Sequence, residues 1–157
     1  MLKLIKCEFL KLKRKKFIPL IILAAFLFPI PLTYLMTTPS MMERYTDQAD
    51  AFDGLFNMVL GYGIQFLLPC IIGVIAAILF FMERDNDTFK NLRTIPVTST
   101  QMVLAKIIVL FLFGIVFCVA STIATILCGF GTLEVYGIGY KLFLAVETGI
   151  FITAGTL

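Results

Sequence analysis

The chain has 157 residues, of which 60% are hydrophobic and only 15% charged, with a formal net charge of +3. Soluble domains carry about 45–50% apolar and about 25% charged residues. The charges gather in four short segments, and the stretches between them are almost wholly apolar, so the composition excludes a soluble protein and predicts an all-α, multi-pass membrane bundle. The first basic run leads directly into an apolar span, which favours membrane lipid over nucleic acid as its partner.

Residues 1–16 contain seven of the thirteen Lys and Arg residues of the chain. Apolar residues recur among them at helical spacing, namely Leu2, Ile5, Phe9 and Leu12. This pattern predicts an amphipathic helix that lies in the headgroup layer with its basic side toward anionic lipid. A disordered tail that serves only as a topology signal is the alternative. We expect residues 17–157 to form an incomplete transmembrane domain.

The first apolar span covers residues 17–36, which is longer than the apolar region of a signal peptide, about 7–15 residues. It is therefore expected to be a retained transmembrane helix. Pro29 and Pro31 should kink its outer third, because proline interrupts the helical hydrogen bonds. The next segment, residues 37–53, is polar and acidic and is expected to be an external loop.

Three further apolar spans follow, at about residues 55–82, 102–130 and 141–157. The second span contains Pro69, a candidate kink. Lys106 lies near the start of the third span, where its side chain could snorkel to the interface. The fourth span breaks off at Leu157, so we expect three complete transmembrane helices and part of a fourth.

Basic residues alternate along the chain in a way that predicts its orientation. Residues 1–16 and 83–101 together carry ten of the thirteen Lys and Arg residues, whereas residues 37–54 and 131–140 carry only one. Because positive loops stay in the cytoplasm, we expect the N-terminus and residues 83–101 to be cytoplasmic.

Residues 83–101 contain a candidate docking helix. Asn86 or Asp87 can cap it, and Pro96 ends it by disfavouring helical geometry in the preceding residue. The short helix places Phe89 and Leu92 on one side. These two side chains could dock on a soluble partner or rest on the membrane surface, and the residues by themselves favour neither reading.

A family resemblance favours the partner. From Glu83 the loop reads E-R-D-N-D-T-F-K-N-L-R-T-I-P-V, and Ala105-Lys106 follows. It resembles the first cytoplasmic loop of ABC-2 type transporter permeases, which carry Glu, then Asn-x-Thr-x-Lys-x-Leu, then Pro-Val, before a helix that begins with Ala-Lys. Residues 8–14, E-F-L-K-L-K-R, resemble the interfacial helix that opens such subunits. The nearest type is the permease of bacitracin and lantibiotic export or immunity systems.

The resemblance implies a transport subunit in the plasma membrane of a bacterium. It implies two permease subunits, identical or different, and a separate ATPase subunit that binds loop 83–101. ATP would be used by that partner, so no cofactor is expected on this chain. The chain has no histidine, no cysteines at metal-ligand spacing and no phosphate-binding loop, so we expect neither a Cys/His metal site nor catalytic residues. The residues implied in ATPase coupling are Glu83, Asn86, Thr88, Phe89, Lys90, Leu92, Arg93 and Pro96.

Three polar residues inside the apolar spans are candidates for a substrate path. Glu147 is an intramembrane carboxylate, which is a functional hypothesis by default, although it could also be hydrated near the outer interface. Ser121 and Thr125 could contact substrate, but hydrogen bonding to the preceding helical turn is the favoured interpretation. The transported substrate and the direction of transport stay open.

Two other functional classes remain. A membrane anchor or assembly factor without a substrate path would tolerate apolar replacement of Glu147, Ser121 and Thr125. An intramembrane enzyme is disfavoured, because the chain has no histidine and no pair of acids on one transmembrane helix.

Overall fold

A computed structural model describes residues 2–13, 17–85, 99–131 and 133–156 of the chain. The described residues form helices joined by short connections, with no strand among them, and the predicted all-α membrane bundle is confirmed. Among these residues, three continuous helical segments are long and apolar enough to span a membrane, at Gln48–Phe81, Thr100–Gly129 and Ile138–Thr156.

Helix α1 (Leu2–Lys13) packs on the bundle with part of its apolar face. Ile5 lies against the main core, and the ring of Phe9 stacks on that of Phe113 with centroids 5.7 Å apart. Glu8, beside them, is also buried. The apolar residues of α1 therefore contact the rest of the protein. The position of the helix in the headgroup layer stays a prediction.

The first apolar span is divided into α2 (Phe17–Leu27) and α3 (Pro29–Met36). The Phe28 N–H still donates to the Ala24 carbonyl at 3.0 Å, but Pro29 has no N–H with which to continue the ladder. The interruption therefore falls at Phe28, directly before Pro29, where the sequence predicts a kink.

The second span starts earlier than predicted. After the one-turn helix α4 (Pro39–Met42), α5 runs over Gln48–Met58, so the expected start at residue 55 is wrong. The physical reason is amphipathicity. This helix buries Ala51, Phe52, Leu55 and Phe56 along one side, while its polar residues make it read as a loop in hydropathy.

The second span continues without a break through a π-helical segment (Val59–Leu67) into α6 (Leu68–Asp85). Gly61 and Gly63 lie in the π-helical segment, and Pro69 follows it and removes one helical donor. Segments of this kind widen the helix and are recognised places for bends. The kink at Pro69 stays a prediction, and the π-helical segment lies directly before that residue.

Helices α7 (Ser99–Gly129) and α8 (Ile138–Thr156) complete the fold. Helix α7 is central and packs against α1, α2, α3, α6 and α8. It lies very close to α8, because a β-carbon added at Gly114 would clash with Thr153 and one at Gly149 would clash with Cys118. The fourth span begins at Ile138, three residues before the predicted start.

The part of the chain that the structure describes contains two apolar cores. The main core includes Leu68, Ile75 and Val109, and a separate core includes Met36, Phe52 and Ile126. We call the end with the second core, α4 and the connection between α7 and α8 the distal end. The proximal end is the one where α6 stops at Asp85 and α7 begins at Ser99.

Candidate functional site

A buried ion pair joins the second and fourth spans at the distal end. Lys141 of α8 is 4% exposed, and its Nζ lies 2.5 Å from Oδ1 of Asp53 on α5. The same Nζ donates to the carbonyl of Tyr136 at 3.1 Å. The Asp53 side chain is 43% exposed and the Lys141 side chain 5%. Water therefore reaches the carboxylate of the pair but hardly reaches the ammonium.

Aromatic rings surround the ammonium of Lys141. Its Nζ lies 3.9 Å from the ring centroid of Tyr136 and 4.6 Å from that of Phe52, with Phe56 at 5.9 Å. Ring faces attract cations, most strongly where water is excluded. The rings replace part of the hydration that Lys141 loses, while Asp53 supplies the opposite charge.

Tyr136 contributes to this cluster in three ways. Its carbonyl and its ring contact Lys141, and its hydroxyl donates a hydrogen bond to Oδ2 of Asp53. That bond, together with partial desolvation, raises the pKa of the Tyr136 phenol above its ordinary value. We call Asp53, Tyr136, Lys141, Phe52 and Phe56 the distal cluster.

Local backbone geometry brings the distal cluster together. Gly137 has φ of +63°, a conformation that glycine adopts without strain, and its carbonyl accepts the Lys141 N–H at 3.0 Å. The chain turns there into α8, which places Tyr136 above the first turn that carries Lys141. On α5, Phe52 and Phe56 are one turn apart and flank Asp53.

A second buried lysine contacts the second span toward its proximal end. Lys106 of α7 is 2% exposed, so its side chain does not snorkel out of the bundle as the sequence suggests. Its Nζ donates to the carbonyl of Leu79 on α6 at 3.5 Å and lies 4.5 Å from the ring centroid of Phe80. Lysines from two neighbouring helices therefore contact the second span at points far apart along its length.

The candidate path residues do not share one surface in this structure. Thr125 is buried and donates to the Ser121 carbonyl at 2.8 Å, as expected for hydrogen bonding to the preceding turn. Ser121 is also buried, and its Oγ has no hydrogen-bond partner among the described residues. Glu147 lies on the exposed side of α8.

Most of the predicted coupling residues lie outside the described part of the chain. They are Asn86, Thr88, Phe89, Lys90, Leu92, Arg93 and Pro96. Glu83 lies in the last turns of α6, although its side chain is not described. What the structure does give is the two helices, α6 and α7, to which the loop is joined directly.

Comparison with known proteins identifies the family. A family model described as ABC-2 family transporter protein matches residues 4–157, nearly the whole chain. The chain belongs to the ABC-2 transporter family. A search of the curated proteins and a search of the solved structures each found no match. Membership makes this ABC-2 chain a membrane transport component, in agreement with the resemblance noted in loop 83–101.

Sequence reasoning missed the distal cluster of this ABC-2 chain, although two signals pointed to it. Asp53 and Lys141 both lie at the starts of apolar stretches, and the alternating topology places those starts on the same side of the membrane. Opposite charges on one side of a bundle, each next to aromatic residues, are candidates for an ion pair between helices.

Proposed function

We propose that the chain is the permease subunit of an ATP-driven ABC-2 type exporter. The observation that carries the proposal is the family match over residues 4–157, which includes the loop between two long apolar helices. A separate ATPase subunit would bind this loop through Phe89 and Leu92, with flanking polar contacts from Glu83, Lys90 and Arg93. Two permease subunits, identical or different, would enclose the path.

Force would reach the bundle through two helices at once. Loop 83–101 includes the last residues of α6 and the first residues of α7. The closure of two ATPase subunits would displace the loop and tilt both helices, since helices transmit displacement as rigid elements. Because α7 packs along α8, the motion would pass into the fourth span as well.

The proximal end would face the cytoplasm of a bacterium, and the distal end would face outward. The support is the concentration of Lys and Arg in residues 1–16 and 83–101. In this orientation an ATPase subunit can reach the loop, and the distal cluster lies at the external end of the bundle.

Antimicrobial peptides of the bacitracin and lantibiotic type are the proposed cargo. Support comes from the resemblance of the loop and of residues 8–14 to permeases of those systems. Glu147 is exposed on a spanning helix, where a charge is costly unless it meets water or a partner of opposite charge. A basic peptide in the path would supply such a partner. Ser121 and Thr125 would reach the cargo only after the helices separate, since both are buried.

Co-purification tests the proposal. The chain is isolated from native membranes in mild detergent, and an ATPase subunit with a phosphate-binding loop is expected to accompany it. Phe89→Asp should abolish that association and leave membrane insertion intact, because it places a charge on the proposed apolar contact. Thr100→Asp is the matched control: Thr100 is an exposed residue at the start of α7, and its substitution should retain the ATPase.

Two results would contradict the proposal. One is the absence of any ATPase subunit from the wild-type preparation, and the other is equal recovery with Phe89→Asp and Thr100→Asp. A non-transporting anchor is the alternative function. It predicts that Glu147→Leu leaves cellular resistance to the peptide unchanged, whereas a permease that uses this carboxylate would lose it.

A further inference from the structure

We infer that α5 is a hinged arm and that the Asp53–Lys141 ion pair is the latch that holds it to α8. The inference concerns a motion of this chain by itself and does not depend on the proposed exporter function. It follows from the way α5 is attached at its two ends and from the exposure of the two charges.

The C-terminal end of α5 has the features of a hinge. It continues directly into the π-helical segment, where Gly63 lies against the ring of Phe28. A β-carbon on Gly63 would come within 2.7 Å of Cε1 of Phe28. Phe28 directly precedes Pro29, which has no N–H and so removes one hydrogen bond from the ladder of the first span. The π-helical segment of the second span therefore contacts the first span next to the hydrogen bond that Pro29 removes, and both features favour bending at one level of the bundle.

The rest of α5 is attached to α8 mainly through one side chain. The backbones of α5 and α8 hardly approach each other, whereas those of α7 and α8 pack closely. Lys141 bridges the gap by contacting Asp53, Phe52 and Phe56 of α5. If this bridge is broken, α5 is held by its apolar contacts alone. They are with α3, the end of α7 and the connection before α8 in the second core, and with the main core through Phe56.

The two partners of the ion pair differ in exposure, so that Asp53 can separate from Lys141. Asp53 can move into water at low cost, because its side chain is already 43% exposed. Lys141 would stay buried, with the Tyr136 carbonyl and the rings still around its ammonium. A buried ion pair often adds little net stability, because desolvation offsets the attraction, and its best attested use is to select one arrangement over another.

The size of the motion follows from the geometry. Gln48, at the N-terminal end of α5, is fifteen residues before Gly63, a separation of about 22 Å along a helix that rises 1.5 Å per residue. A rotation of about 15° at the hinge, the size of a domain rotation in known switches, would move Gln48 by about 6 Å. The arm would then uncover the aromatic rings of the distal cluster.

Distance measurement between spin labels tests the latch. The purified chain in lipid nanodiscs carries labels at Gln48→Cys and Tyr140→Cys, two exposed positions on α5 and α8. The native cysteines are replaced by serine, except Cys118→Ala, because Cys118 lies against Gly149. The parent should give one distance, and Asp53→Asn should add a second population whose distance differs by up to about 6 Å, the displacement derived from the helix rise.

Two further variants separate a latch from a general loss of packing. Lys141→Met removes the ammonium without leaving a charge behind, and it should give the same second population. Asp50→Asn changes an exposed carboxylate one turn earlier on α5 and should leave the distance unchanged. A second label pair, Leu112→Cys with Phe151→Cys, reports on the close packing of α7 with α8 and should not change in any variant.

The outcomes that overturn the latch are specific. A single unchanged distance in Asp53→Asn would show that the pair does not hold the arm. Broadening of both label pairs would show general loosening of the bundle. A second population in Asp53→Asn but not in Lys141→Met would attribute the change to an unpaired buried ammonium and not to loss of the bridge. Failure to recover an ATPase subunit would refute the exporter proposal and leave these results standing.

Discussion

Lysines contact the second span near both ends, but the two contacts differ in kind. At the distal end Lys141 pairs with Asp53, a side chain on an amphipathic helix that is partly open to water. Toward the proximal end, Lys106 contacts the backbone carbonyl of Leu79 and the ring of Phe80. A carboxylate side chain can rotate away, whereas a helix carbonyl moves only with its helix. The distal contact is therefore suited to breaking and the proximal contact to holding.

The largest expected loss of unfolding free energy comes from breaking the ion pair at the distal end, and it distinguishes charge pairing from packing. Asp53→Ala leaves the buried Lys141 ammonium without its carboxylate. Breaking a fully buried pair costs about 3–5 kcal/mol, and we expect about 2 kcal/mol here because Asp53 is half-exposed and the rings remain. Lys141→Met removes the charge and keeps the length of the side chain, so it should cost less, about 1 kcal/mol. Reversible unfolding in detergent micelles measures both.

The double variant and a control decide the interpretation. In the Lys141→Met background, Asp53→Ala should cost only the hydrogen bond that Tyr136 donates, because no buried ammonium remains to lose its partner. Asp50→Ala, on the exposed side of the same helix, should stay within about 0.5 kcal/mol of the parent. If Lys141→Met is instead the more damaging change, packing of the lysine stem would dominate, and the contrast between the two ends would lose its basis.

Local features of the fold could be predicted from the sequence. Long apolar runs define the spans, because the bilayer demands them. The interruption at Phe28 follows from Pro29, which has no N–H to donate. The hydrogen bond from Thr125 to the Ser121 carbonyl is a contact over one turn and needs no knowledge of neighbouring helices. Each of these depends on residues only a few positions apart.

Features that depend on distant residues could not be predicted in the same way. The helical segment from Gln48 to Asp53 is polar on one side, so hydropathy assigns it to a loop, and only packing against the distal core explains it. Asp53 and Lys141 are separated by two spans in the sequence, and nothing local pairs them. Buried Lys106 is a similar case, since charge near a helix start suggests snorkelling.

A smaller effect probes the contact of Lys106. Phe80→Leu removes the ring face 4.5 Å from Nζ and leaves the backbone carbonyl of Leu79 in place. A cation–π contact at a partly exposed ring contributes about 0.5–1 kcal/mol, so the loss in unfolding free energy should fall in that range. The label pair on α5 and α8 should keep its single distance, because the distal latch is untouched.

Phe81→Leu is the matched control for that measurement. Phe81 is the next residue on α6 and is 58% exposed, compared with 49% for Phe80, so the two changes remove similar apolar area. Equal losses from both substitutions would mean that the ring of Phe80 does not stabilise Lys106, and the proximal contact would then rest on other partners of the lysine.

The smallest expected effect is a titration at the distal end. The hydrogen bond from the Tyr136 hydroxyl to Asp53 raises the pKa of the phenol, because ionisation would remove the proton that the carboxylate accepts. The bond therefore stabilises the folded chain at pH values below about 10, the ordinary tyrosine pKa. That contribution is lost as the pH rises through the higher pKa of the folded state. Tyrosine-selective NMR, assigned with Tyr136→Phe, follows the phenol, and Asp53→Asn should lower the pKa of Tyr136 toward its ordinary value.

An identical Tyr136 titration in the parent and in Asp53→Asn would mean that the carboxylate does not accept this hydrogen bond in solution. The distal cluster would then keep the Asp53–Lys141 ion pair and its rings but lose the hydrogen bond from Tyr136.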